Sequence, residues 1–102
     1  MLKELNLKYI ELIKNDYKVF LQFLKAKYPV FHNSNFFFRE LQFGILKFLE
    51  KKGIKISNGQ AEELAKGVGS FLEHEGIFVR VNNLGWRINY KEFVTTVPGD
   101  PL

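Results

Sequence analysis

The chain predicts an α+β domain in which three main helices pack on a small antiparallel sheet, and two features carry that prediction. Up to His74 the apolar residues recur in steps of three and four, the spacing of one face of a helix. From Ile77 to Tyr90 they alternate in steps of two on either side of a polar connection, Asn82-Asn83-Leu84-Gly85, as a strand, a turn and a second strand would. A hairpin alone is marginal in water, so its apolar side has to lie on the helices.

The first helical stretch covers residues 3 to 28, where Ile10, Ile13, Tyr17, Phe20, Leu24 and Tyr28 form one stripe and Leu12, Val19 and Phe23 widen it. Asn15-Asp16 is able to cap a separate helix from Tyr17 onward, so the stretch is one helix or two. Lys14, Lys18 and Lys25 read as a solvated face. Pro29 ends the element and biases Tyr28 toward extended backbone. Val30 to Asn35 reads as a loop, with Ser34 or Asn35 placed to cap the next helix. That second helix, Phe36 to Lys52, carries Phe38, Leu41, Ile45, Phe48 and Leu49 on one face, allows close approach of another helix at Gly44, and stops at Gly53. Ile54-Lys55-Ile56 alternates and is β-branched, which makes it a candidate third strand.

Ser57 and Gln60 have capping-box spacing, with Asn58 as a rival cap, and open the third helix, Gln60 to Glu75. Its apolar face is Ala61, Leu64, Ala65, Val68, Phe71 and Leu72. Gly67 and Gly69 each weaken its middle by ~1 kcal/mol relative to alanine, so a kink or two short helices stays open. Gly76 suits the left-handed residue that ends a helix. In the first strand Ile77, Val79 and Val81 share one side; in the second Trp86, Ile88 and Tyr90 do, with Arg80, Arg87 and Asn89 opposite. The predicted core is Ile13, Phe20, Leu24, Leu41, Ile45, Phe48, Leu64, Val68, Leu72, Val79 and Ile88. Lys91 to Val97 continues as an edge strand or a short helix. Residues 1–97 are expected to form one domain and 98–102 a frayed tail.

Helix, Leu72-Glu73-His74-Glu75-Gly76-Ile77, strand, polar turn, strand: over residues 57–90 this order resembles the third helix and wing of a winged-helix domain. Members of that family commonly bind DNA and sometimes bind proteins instead. The resemblance implies a fold in which a third strand lies between the first two helices.

Composition narrows the functional classes. With 102 residues, 46% hydrophobic and 25% charged, the chain is long enough for one buried core and too apolar for a disordered segment. It has no cysteine, which removes thiolate chemistry and cysteine-ligated metal sites. No stretch approaches the length of a membrane span and the N-terminus lacks the apolar block of a signal peptide, so a cytoplasmic protein with no membrane partner is expected. His32 and His74 have no further ligands at metal spacing, and no phosphate loop or Ser/His/Asp spacing is present. The expectation is therefore a non-enzymatic protein with no catalytic residues, metal or cofactor.

Two binding classes remain. Up to Ser57 eleven Lys or Arg stand against five acids, from Asn58 to Glu75 one against four, and beyond that three against two. The helix that a winged-helix analogy sends into DNA is thus the acidic part, and phosphate repels it. If nucleic acid binds, Lys47, Lys51, Lys52 and Lys55, with Arg80 and Arg87, supply the phosphate contacts. The other class is a protein-interaction or self-associating module, a homodimer in its simplest form. Its basis is the eleven phenylalanines, three of them consecutive. Phe23, Phe36, Phe37 and Phe43 exceed what one helical face buries, and are the candidate interface.

Overall fold

A computed structural model describes residues 2–93; the expectations for residues 94–97 and for the 98–102 tail lie outside the described residues. Four helices and three strands succeed one another as α1 (Leu2–Asn15), α2 (Tyr17–Lys27), β1 (Asn35–Phe37), α3 (Phe38–Lys51), α4 (Asn58–His74), β2 (Phe78–Asn82) and β3 (Gly85–Ile88). The long first helix is therefore two. Asp16 leaves helical backbone at φ −129° and ψ 37°, and its carbonyl accepts the first bond of α2, from Phe20 N–H at 3.1 Å. Tyr28 ends α2 in extended backbone, as the proline after it requires.

The sheet is antiparallel in the order β1-β3-β2, with Phe36 opposite Trp86 and Phe78 opposite Ile88. The fold corrects two expectations. Ile54 to Ile56 forms no strand; its two isoleucines pack against the core as irregular chain. The third strand is instead cut from what reads as a loop and a helix start, and it lies between the first helical stretch and the next, as in a winged-helix-like arrangement. Ser34 closes the preceding turn, its Oγ accepting from Phe31 N–H at 3.0 Å and donating to Phe31 O at 2.7 Å, so it does not cap α3. That helix begins later, at Phe38. Glu40 caps it by accepting from Phe37 N–H at 3.0 Å, while Phe38 N–H donates to Leu84 O at 2.8 Å. The second of these bonds ties the start of α3 to the hairpin tip.

α4 runs unbroken. Its N-terminus is the capping box that Ser57 and Gln60 predict, with Gln60 N–H on Ser57 Oγ at 3.1 Å and Ser57 N–H on Gln60 Oε1 at 3.3 Å. The two interior glycines are contact points: a Cβ at Gly67 would lie 2.6 Å from Ile10 Cδ1 of α1, and one at Gly69 would lie 2.8 Å from the Trp86 ring. The cost in helix propensity is offset by letting a helix and a strand approach the backbone. Gly44 admits Leu24 of α2 in the same way, so that close approach is internal.

One apolar cluster joins all the elements, with Phe20, Leu24, Leu41, Ile45, Leu64, Val68, Leu72, Phe36, Phe78 and Trp86 fully buried in it. Val79 is the exception among the predicted core residues, being only half-buried. Within β2 only Phe78 is buried, opposite Ile88; Arg80 shares its side of the sheet opposite Trp86 but stays exposed, and Val79 and Val81 belong to the other side. Ile77 is buried because it precedes the strand, its N–H held by Leu72 O at 3.0 Å, and that burial hides the true phase from a count of alternating residues.

Candidate functional site

Period two decides the fate of the consecutive phenylalanines. β1 sends Phe36 inward and Phe37 outward, and Phe38 then starts a helix. Phe36 is 1% exposed, against the Phe78 ring at 5.7 Å and the Tyr28 ring at 6.0 Å, so it leaves the candidate interface. Phe37 is 52% exposed and Phe43, in the second turn of α3, 43%. Both line one open groove of about 720 Å³ between the start of α3, the hairpin tip and Glu62 of α4. Leu84 lines it too, at 69% exposure. Sequence reasoning misses Leu84 by treating it as part of a polar turn. The signal is present all the same, since a leucine at the tip of a short hairpin has no core within reach. Arg39, Glu40 and Glu62 put both signs of charge on the same groove.

Phe23 lies elsewhere. It is half-buried in a second groove, about 480 Å³, between α2 and the end of α3, with Val19, Phe48, Lys51 and Lys52.

The six candidate phosphate contacts do not share one surface role. Arg80 is engaged: its Nη2 and Nε donate to Glu73 Oε2 at 2.7 and 3.1 Å, and its guanidinium lies over the Trp86 ring at 5.3 Å. Trp86 Nε1 donates to the same oxygen at 2.7 Å. These donors, the indole first and then the guanidinium, hold the Glu73 carboxyl below the usual carboxylate range despite partial burial. Arg87 donates to Asn33 Oδ1 at 3.1 Å, and Lys47 lies 3.6 Å from Glu50. Lys55 is exposed in the irregular segment before α4. Lys51 and Lys52 are exposed at the last turn of α3, where they also favour the helix dipole. The acidic face of α4 is internally matched, with Lys66 3.9 Å from Glu62 and 3.3 Å from Glu63.

Among the described residues no group of three or more His, Asp or Glu stands where it could hold a metal ion, and no helix is long and apolar enough to cross a membrane. His32 joins the loop to the C-terminal segment through its backbone, donating to Phe93 O at 2.6 Å. Comparison with models of protein families, with curated proteins and with solved structures finds no match to this chain.

Proposed function

We propose that this chain is a non-enzymatic winged-helix domain that works as a protein-interaction module and associates with a second copy of itself through the Phe37–Phe43–Leu84 groove. The observation that carries the reading is the convergence of three large, exposed apolar side chains on one groove. Its rim supports a two-fold partner: Arg39 stands beside Glu40 and Glu62, and a surface carrying both signs can pair with its own copy. Aromatic anchors with a polar rim are the usual composition of such contacts.

Sedimentation equilibrium tests this. The 12.0 kDa chain is expected to dimerise in the micromolar range, and Phe43→Ser, which removes the ring from both protomers, to weaken the dimer by roughly 30-fold, the effect of about 1 kcal/mol per copy. A monomer at several hundred micromolar removes the self-association reading.

Nucleic-acid binding is the second reading. Of its six proposed contacts, Lys51, Lys52 and Lys55 are exposed and have no carboxylate within ion-pair distance among the described residues. A duplex titration at two salt concentrations tests it, since phosphate contacts weaken as salt rises.

A further inference from the structure

Lys51 and Lys52 line the second groove, and Lys27 reaches over its Phe23 ring. Lys27 Nζ lies 5.7 Å and Lys51 Nζ 5.8 Å from the centre of the Phe23 ring, and Lys52 Nζ lies 5.0 Å from that of Phe48. The two rings meet edge to face at 5.3 Å and form an apolar floor with Val19 and Ala26; Val19 is 51% exposed. No carboxylate lines the groove, and among the described residues none of the three ammonium groups has one within 4.0 Å. Glu50, beside Lys51 in sequence, is taken by Lys47 at 3.6 Å.

We infer that this groove docks an acidic amphipathic segment of a different protein, with its carboxylates on Lys27, Lys51 and Lys52 and its apolar residues over Val19 and Ala26. Charge complementarity selects an acidic occupant, because a groove of one sign repels a copy of itself. The acids of α4 do not make a second copy suitable, since Glu62 and Glu63 are matched by Lys66 and Glu73 by Arg80. The apolar floor favours an occupant that brings apolar side chains over a bare phosphate chain, which could use only the lysines. Stacking of an unpaired base needs an open aromatic face, and two ammonium groups already lie over Phe23. The occupant left is a segment that suits helix-in-groove recognition with acidic flanks.

The test is fluorescence anisotropy with the full chain and a fluorescein-labelled synthetic peptide in which glutamates alternate with two leucines at i and i+4. The peptide is expected to bind at about 50 mM salt and to weaken several-fold by about 300 mM. The pair Lys51→Gln and Lys52→Gln is expected to weaken it by about tenfold, with Val19→Glu acting in the same direction. Circular dichroism of each variant confirms that the helices persist. Phe43→Ser is expected to leave peptide binding unchanged, which separates this surface from the proposed dimer groove. The inference is overturned if the peptide does not bind, if the lysine pair has no effect, if leucine-free polyglutamate binds equally well, or if oligo-thymidylate binds more tightly than the peptide.

Discussion

Gly67 and Gly69 lie two residues apart on one helix, and the structure predicts opposite outcomes for replacing them with alanine. Either change gains ~1 kcal/mol of helix propensity. At Gly67 the new methyl meets Ile10 Cδ1 at 2.6 Å, the free end of a half-buried side chain that a χ rotation moves away. At Gly69 it meets Trp86 Cζ2 at 2.8 Å and Cη2 at 3.1 Å. Carbon pairs prefer ~3.5 to 4.0 Å, and this ring cannot yield easily. It is buried, packed on Phe78 at 4.8 Å, and pinned two bonds from Cζ2 by its indole N–H on Glu73. Overpacking costs ~1 to 3 kcal/mol, and against a ring pinned in this way the upper part of that range, ~2 to 3 kcal/mol, applies, so after the ~1 kcal/mol propensity gain Gly69→Ala is expected to lose ~1 to 2 kcal/mol. For a domain of this size that lowers Tm by roughly 5 to 15 °C. Gly67→Ala is expected to melt at or slightly above the wild type. Thermal denaturation monitored by the emission of Trp86, the sole tryptophan, reads both variants in one assay. A Gly69→Ala protein that melts no lower than the wild type refutes the account of why glycine occupies that turn.

Three further outcomes rest on contacts of the same kind. The carboxyl of Glu73 is held below its ordinary value of 4.5, so its contribution to stability is complete above that pH and is lost as pH falls through the folded value. Glu73→Gln should therefore flatten the acid limb of a urea-midpoint profile as pH falls below the ordinary carboxylate value. The Tyr90 hydroxyl is pushed up to about 12 from 10.0, first by desolvation and then by donation to the Glu92 carboxylate. Stability from that source is intact below pH 10.0 and declines toward about 12, and Tyr90→Phe should remove the decline along with the latest step of a spectrophotometric tyrosine titration. Leu41→Ala, at a fully buried position of α3, should cost ~2 to 5 kcal/mol in chemical denaturation, whereas Leu84→Ala at the exposed tip should stay within ~0.5 kcal/mol.

Features whose cause is local are legible in the sequence. Ser57 and Gln60 fix the start of α4 through bonds that span three residues, and Gly53 and Gly76 end helices at φ +83° and +77°, where few other residues are at ease. The hairpin is legible for the same reason. β1 is not, because three residues have no periodicity of their own and become a strand only by pairing with β3, some fifty positions later. Arg80 is misplaced by the sequence pattern for a related reason. An arginine reads as facing away from the apolar side in any alternating pattern, yet Arg80, though exposed, shares the Trp86 side of the sheet, held by Glu73 from α4 and the face of Trp86 from β3.

The same distinction governs the candidate surfaces. The phenylalanine surplus is visible in the composition, but composition does not say which rings remain in water; register does. Phe36 stands opposite Trp86 and Phe37 opposite Gly85, and a Cβ on Gly85 would lie 2.9 Å from Phe37 Cα. Only a glycine on β3 accepts β1 this closely, so one small residue holds the register in which Phe36 closes the core and Phe37 opens onto the groove. A slip of one residue would exchange the two rings and bring Asn35 or Phe37 to the buried side. The outward ring of the proposed dimer groove is thus fixed by the strand pairing that buries its neighbour. The lysines of the other groove depend on no such register, because they project from the exposed ends of two packed helices. A substitution at Gly85 is accordingly expected to disturb the Phe37 groove while leaving the Lys51–Lys52 groove able to bind its acidic peptide.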